Sequence, residues 1–279
     1  MNPLKEKFMK SNLFRTGLAL LIAFSATLSM AQSEPQVINI PLTRPGEPVN
    51  LEISVLSAYI EVIGEDREDA SFEVSVVEGT RKIITPSGTQ SVKTGAYSVE
   101  VEEEDNHISV GTDWRANKVR VLARIPRIAN LELSTVNDGE IIVSNITGKL
   151  VLENVNGPIT ANHINGSVIA ESVNQDISVS FDSIDTGQVM SFSSINGNLN
   201  LGVPANTGVD LHIDSAEGEI VSDFEVELQP SKPVMSRENS RNGVEVRVES
   251  VIIASINGGG TVIKLKTLNG NINITRSTQ

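Results

Sequence analysis

The mature part of this chain is written in apolar and polar residues that alternate with a period of two. Val49 to Val55, Phe72 to Val76, Tyr97 to Val101 and Val119 to Ala123 each place every second residue in the apolar class, the pattern of a strand with one face inward. From Val136 onward the alternation is tied to a short repeat. An apolar residue is followed by Asn, Gly, any residue, and two apolar residues separated by one. Four copies are clean: Val155-Asn156-Gly157-Pro158-Ile159-Thr160-Ala161, Ile164-Asn165-Gly166-Ser167-Val168-Ile169-Ala170, Ile195-Asn196-Gly197-Asn198-Leu199-Asn200-Leu201 and Leu268-Asn269-Gly270-Asn271-Ile272-Asn273-Ile274. Looser copies begin at Leu56, Val136, Ile146, Val173, Ile184, Ala216 and Ile256. The leading positions from Val136 to Ile195 are separated by 10, 9, 9, 9, 11 and 11 residues.

Each copy reads as a turn plus a short strand. Asn-Gly tolerates positive φ and so reverses the chain, and the apolar pair after it supplies an inward face. The same pattern describes antiparallel hairpins joined by Asn-Gly turns. Regular spacing over six intervals favours a solenoid instead, because a unit this short cannot bury its own apolar face and must stack on the next. In that arrangement units of 9 to 11 residues are half-coils, and Ile159, Val168, Ile177, Leu199 and Ile272 follow their turns at equivalent offsets. The asparagines at 156, 165, 196, 257 and 269, with Gly157, Gly166, Gly197, Gly258 and Gly270, are the structural turn positions, and their amides can also form a ladder from coil to coil.

A longer echo supports stacking. Ile125-Pro126 precedes Leu131-Glu132-Leu133 and Gly139-Glu140-Ile141, as Val203-Pro204 precedes Val209 to Ile213 and Gly218-Glu219-Ile220. Both prolines suit corners, where a missing donor breaks no ladder. Residues 32 to 125 read as an amino-terminal strand region with the first solenoid coil or coils, less regular and with polar excursions around Arg67, Ser87 and Asn106, and residues 126 to 279 carry the solenoid repeats. The stretch from Gln229 to Asn242, rich in Pro, Ser, Arg and Asn, reads as a loop extruded from the stack. Beyond residue 31 no amphipathic helical period is found.

The first 31 residues have a different character. Lys5, Lys7, Lys10 and Arg15 precede an apolar run from Gly17 to Leu28 and then Ser29-Met30-Ala31, the order of a secretory signal peptide cleaved before Gln32. The run is short for a membrane span. With no cysteine in the chain, there is neither a lipid-attachment cysteine nor a disulfide framework. Four basic residues and Glu6 leave with the leader, which takes the formal net charge from −13 to −16. That balance disfavours nucleic acid and suits an exported protein of the periplasm, outer surface or medium.

Candidate chemistry is sparse. Glu100, Glu102, Glu103, Glu104 and Asp105 form the densest acidic run, yet their spacing matches no calcium loop, and a solvated strand edge that resists aggregation explains them. His107, His163 and His212 are far apart in sequence and no second histidine or cysteine stands near any of them, so no metal set is read and no cofactor is expected. A polysaccharide lyase or hydrolase needs converging carboxylates and bases on one face, and the repeats present none. Trp114, beside Arg115, is one Trp in a chain with two Tyr, which argues for packing rather than a glycan platform.

The iterated Val-Asn-Gly-x-Ile units, the Ile125-Pro126 and Val203-Pro204 corners, and the closing Gly258-Gly259-Gly260 to Leu265-Lys266-Thr267-Leu268-Asn269-Gly270-Asn271-Ile272 resemble the putative-adhesin family of exported bacterial β-solenoid proteins, a domain of unknown function. The resemblance runs over most of residues 49 to 274. It implies an all-β, single-stranded, right-handed parallel β-helix or β-solenoid, an envelope location and no catalytic residues. The sequence thus leads to a non-enzymatic envelope protein presenting a solenoid surface for adhesion, binding or scaffolding to an envelope protein or glycan. A polysaccharide-active enzyme on the same scaffold and a periplasmic sensor or regulator are the alternatives.

Overall fold

The structure is a computed structural model that describes residues 36–77, 80–84, 90–94, 99–112, 118–230, 234–240, 243–249 and 251–277. Residues 1 to 35, with the expected leader and Gln32, and Ser87, Tyr97, Trp114 and Arg115 lie outside the described residues. Every regular element described is a strand. The amino-terminal part carries β1 (Gln36–Pro41), β2 (Val49–Val55), β3 (Ala58–Glu65), β4 (Asp69–Val76), β5 (Thr80–Ile84), β6 (Gln90–Thr94), β7 (Val99–Glu104), β8 (His107–Thr112) and β9 (Val119–Pro126). The repeats then form β10 (Ala129–Thr135), β11 (Ile141–Ser144), β12 (Thr147–Asn154), β13 (Ile159–Ser172), β14 (Ile177–Ile184), β15 (Met190–Ser194) and β16 (Leu199–Val203). The carboxy-terminal part has β17 (Val209–Glu217), β18 (Ile220–Ser222), β19 (Glu227–Gln229), β20 (Val234–Ser240), β21 (Gly243–Glu249), β22 (Ile252–Ile256), β23 (Thr261–Asn269) and β24 (Ile272–Arg276).

Twenty of these strands form one mixed sheet that curls nearly closed around a single apolar core. The chain alternates between two walls. In the repeats, consecutive units do not pair with each other; a unit pairs in parallel with the unit after next. On one wall Val110, Ile53, Leu133, Leu152, Ala170, Phe192, Leu265 and Ile213 stand in successive register. On the other the file runs Val74, Val121, Ile60, Ile141, Ile159, Ile177, Leu199, Ile272 and Ile220. All but the terminal Ile220 are buried. Strands in register lie about 4.8 Å apart, so like residues touch along each file, and burying each Ile or Leu is worth about 1.5–3 kcal/mol.

Two expectations are corrected. A wholly parallel stack is not what forms, because both ends of the sheet are antiparallel. β1 pairs with β4, β4 with β9, and β7 with β8 at one end, and β22 pairs with β17 and β19 at the other. There the Asn-Gly repeat gives way to ordinary alternation, and nothing in the sequence holds a strand to a parallel partner. Second, the stretch from Gln229 to Asn242 is not simply an extruded loop. It contains β20, which pairs antiparallel with β21 as a two-stranded sheet of their own. The alternation of Val244, Val246 and Val248 with charged residues is a strand pattern, overshadowed in the sequence by the Pro, Ser and Asn around it. The amino-terminal strands are continuous with the repeats, since β10 pairs with β2 and β11 with β3.

Candidate functional site

The regularity of the two walls brings the turn asparagines together at one corner. Val136, Val155, Val173 and Ile195, the leaders of alternate units, meet there with Leu56 and Leu268, linked by backbone hydrogen bonds such as Asn174 N–H to Val155 O and Asn269 N–H to Ile195 O. Of the leaders between them, which turn the opposite corner, Ile146 and Ile164 are fully buried and Ile184 is half-buried. The two kinds of unit therefore look alike in sequence and differ in environment. Leu56, Val136, Ile195 and Leu268 are 53%, 39%, 45% and 50% exposed and Val155 and Val173 are half-buried, so the leaders at the first corner edge the surface.

Beside this aliphatic edge runs a file of amides. Asn156 Nδ2 donates to Val136 O at 2.9 Å, Asn174 Nδ2 to Asn156 Oδ1 at 2.8 Å, Asn196 Nδ2 to Asn174 Oδ1 at 3.1 Å, and Asn269 Nδ2 to Asn196 Oδ1 at 2.8 Å. An amide carries two N–H donors and two lone pairs, so each member spends half its capacity along the file. Asn174 comes from the imperfect unit Val173-Asn174-Gln175 and was not among the residues singled out by the Asn-Gly pattern. Asn165 is absent from the file because its unit turns the other corner, where its Oδ1 accepts from Ser183 Oγ at 2.7 Å. Asn257 is absent because β22, which it ends, runs antiparallel to β17; its Nδ2 donates to Ala205 O at 3.1 Å and Thr207 O at 3.0 Å.

The turn glycines are required for a reason other than the expected one. Of these ten Asn and Gly residues only Gly166, Asn257 and Gly258 have left-handed φ, at 141°, 51° and 82°. At Gly157, Gly197 and Gly270 the demand is space. A Cβ there would fall inside van der Waals contact with the carbonyl oxygens of Gly139, Gln175 and Gly197, each in the neighbouring layer.

Two further files escape the Asn-Gly pattern. Apart from Val55 before Leu56, the residue before each leader at this corner is small, polar and buried or nearly so: Thr135, Asn154, Ser172, Ser194, Thr267 and Ser215 stand in register. Asn154 Nδ2 donates to Gly139 O at 3.1 Å, Ser194 Oγ to Gln175 O at 3.2 Å, and Thr267 Oγ1 to Gly197 O at 3.0 Å, which satisfies the carbonyls that crowd the glycines. The residue after the glycine forms the other file. Asp176 Oδ1 accepts from Asn198 N–H at 2.7 Å, Asn198 Oδ1 from Asn271 N–H at 2.8 Å, and Asn271 Oδ1 from Glu219 N–H at 2.9 Å. The signal was present in the sequence, where Ser, Thr or Asn recurs one residue before the leader.

The remaining candidates are dispersed. His107 lies 3.8 Å from Glu52, His163 Nδ1 lies 3.2 Å from Asp182, and His212 sits on β17. Among the described residues no three His, Cys, Asp or Glu side chains are grouped to hold a metal ion. One member of the acidic run has a structural task. Glu103 accepts from Thr43 N–H at 3.1 Å, Thr43 Oγ1 at 2.8 Å and Asn106 N–H at 2.9 Å. Burial acts to raise its pKa, but those bonds and the Arg44 charge outweigh it, and the net direction is downward. Asn106, buried and at φ 62°, in turn ties Arg44 in both directions. Two shallow depressions mark the outer wall. One of about 250 Å³ is lined by Asn50, Glu52, His107, Asn130, Glu132 and Lys149, and another of about 240 Å³ by Glu52, Ser54, Glu100, Glu102 and Ser109.

No family model matches the chain, and no curated protein matches it. Several solved structures are similar. A putative cell adhesion protein from Clostridium sporogenes is 12% identical, with 87% of this chain and 100% of that one covered at a TM-score of 0.41. A putative adhesin from Bacteroides fragilis is 10% identical, over 87% of this chain and 97% of its own, also at 0.41. Another from Parabacteroides distasonis is 13% identical, over 86% and 97%, at 0.31.

Proposed function

We propose that this chain is an exported, non-enzymatic envelope protein whose two walls are the sides of a β-solenoid, and that it works by presenting its outer surface to a partner. The observation that carries the reading is the pairing of each repeat with the unit after next, which turns the sequence repeat into long, uninterrupted outer walls. Along those walls the polar side chains are spent on one another, as in the Asn156 to Asn269 file, and the depressions are shallow. Such a surface suits contact with an extended partner better than enclosure of a small substrate. The leader over residues 1 to 31, with its basic start and small residues at 29 and 31, supports export and processing before Gln32.

The test is binding of labelled mature protein to envelope fractions of the source cell. Saturable binding that unlabelled protein displaces is expected. Release of new reducing ends from envelope polysaccharide in proportion to protein would replace this reading with an enzymatic one. Intact mass of the protein recovered from fractionated cells checks the leader, and a mass that retains residues 1 to 31 would remove the case for export.

A further inference from the structure

Six Asn-Gly pairs are six places where a peptide can modify itself; five lie within the described residues, and Asn242 of the pair Asn242-Gly243 lies outside them. The glycine nitrogen loses its proton and attacks the asparagine Cγ, the bond from Cγ to Nδ2 breaks, and ammonia leaves. Water then opens the cyclic imide at one carbonyl or the other and leaves aspartate or isoaspartate. Glycine favours the reaction because no Cβ hinders its nitrogen. The ring requires a bent backbone, and the isoaspartate product lengthens the main chain, so a rigid neighbour blocks both.

The structure separates the five sharply. Gly157, Gly166, Gly197 and Gly270 lie against the carbonyls of Gly139, Gly148, Gln175 and Gly197, too close even for a Cβ. Their backbones are held as well: Asn165 N–H donates to Ile146 O at 2.9 Å, Asp185 N–H to Gly166 O at 3.0 Å, and Gly270 N–H to Glu217 O at 3.2 Å. The amides of Asn156, Asn196 and Asn269 are held in their file. Asn257 and Gly258 differ in backbone and in space, although the Asn257 amide is held too, by Ala205 O and Thr207 O. Both are exposed, both have left-handed φ in a turn, and a Cβ built on Gly258 meets nothing within 4 Å. The turn is held at its far side, by Gly259 N–H to Ile256 O at 3.1 Å and Gly260 N–H to Asp210 Oδ2 at 3.3 Å.

We infer that Asn257-Gly258 is a self-modification site, the one among the five described Asn-Gly pairs that converts to aspartate or isoaspartate while the protein is folded, and that stacking protects the other four. The conversion has a structural consequence. Asn257 Nδ2 is what joins this turn to the loop at residues 204–208, through Ala205 O and Thr207 O. A carboxylate puts an oxygen where that donor was, facing two carbonyl oxygens, and adds a negative charge to a turn already bonded to Asp210 of β17. The turn links β22 to β23, and both pair with β17 at Val209, so its release loosens the antiparallel end of the sheet.

The experiment incubates the purified protein in mildly alkaline buffer, folded and in parallel unfolded in urea, and follows each site by peptide mapping with isoaspartate detection. In the folded protein Asn257 is expected to convert at least about tenfold faster than the other four, the factor that about 1.4 kcal/mol of local opening provides. In urea the five rates should converge. Asn257→Gln, whose longer side chain closes the ring slowly, should abolish the folded-state conversion. Conversion of Asn156, Asn196 or Asn269 in the folded protein as fast as Asn257 would overturn the assignment.

Discussion

Asn269 donates its side-chain amide to Asn196 Oδ1 at 2.8 Å across seventy-three residues of chain. Between them the chain leaves the repeat, builds β17 to β22, and returns so that β23 and β24 dock on β15 and β16. The bond therefore joins the returning strands to the main stack. Asn196→Ala breaks two links of the file at once, and with each net hydrogen bond worth about 0.5–1.5 kcal/mol the loss should be about 1–2 kcal/mol in urea denaturation, reduced by the exposure of the site. Asn196→Asp keeps the acceptor for Asn269 and loses the donor to Asn174, so at neutral pH it should cost at least as much as Ala. A neutral outcome for both variants would mean that water replaces the file without cost.

Crowding at the glycines is tested by contrast. Gly157→Ala drives a methyl into the Gly139 carbonyl, a backbone atom with no rotamer to change, and should cost about 3 kcal/mol or prevent folding, at the upper end of overpacking effects. Gly111→Ala, in β8 with nothing within 4 Å of its added Cβ, should stay within about 0.5 kcal/mol. Thermal or urea unfolding of the two side by side decides it. Equal effects would show that strand propensity, not interlayer contact, selects these glycines.

The alternation of single segments was legible because the side-chain period of a strand is two, and it placed Val49 to Val55 and Val119 within strands. The parallel pairing of a unit with the unit after next was legible because each unit is too short to be stable alone. What the sequence concealed was the inequivalence of successive units. Val155 and Ile164 both lead an Asn-Gly pair, yet one edges the surface and the other is buried, and no property of the five residues after each distinguishes them. The residue before them does: Asn154 precedes Val155, whereas His163 precedes Ile164. Attention to Asn-Gly as a turn signal also hid the reason for glycine, since close approach of a neighbouring layer leaves no local mark. The antiparallel ends were illegible because alternation specifies a face and not a partner.

Glu103 gives the stability a dependence on pH. Its pKa is lowered in the folded protein, so its contribution is present above the ordinary carboxylate range and is lost as pH falls through the folded-state value. Glu103→Gln retains an acceptor without the charge. Its melting temperature should lie below that of the unaltered protein at neutral pH, and the two should converge as the solution is acidified. A gap that stays constant from neutral to acid pH would assign the effect to shape rather than charge. Glu102→Gln and Glu104→Gln, a residue to either side in the same exposed run, should leave the melting curve unchanged within about 0.5 kcal/mol.

The buried polar file separates hydroxyls that satisfy a carbonyl from one that does not. Ser194 Oγ donates to Gln175 O at 3.2 Å, whereas Ser172 Oγ, in the adjacent register and 6% exposed, has no partner. Asn154 Oδ1, its other neighbour in the file, is also unpaired. Removing Ser194 Oγ strands the Gln175 carbonyl beside Gly197, and a buried group left unsatisfied costs about 1–3 kcal/mol. Removing Ser172 Oγ strands nothing and relieves the desolvation of a hydroxyl that gains no bond in return. Ser194→Ala should therefore destabilise by about 1–3 kcal/mol, and Ser172→Ala should be neutral or stabilising by up to about 1 kcal/mol. Urea denaturation midpoints with unchanged m-values measure both, and a loss at Ser172 equal to that at Ser194 would show that a bound water serves Ser172 Oγ and Asn154 Oδ1 together.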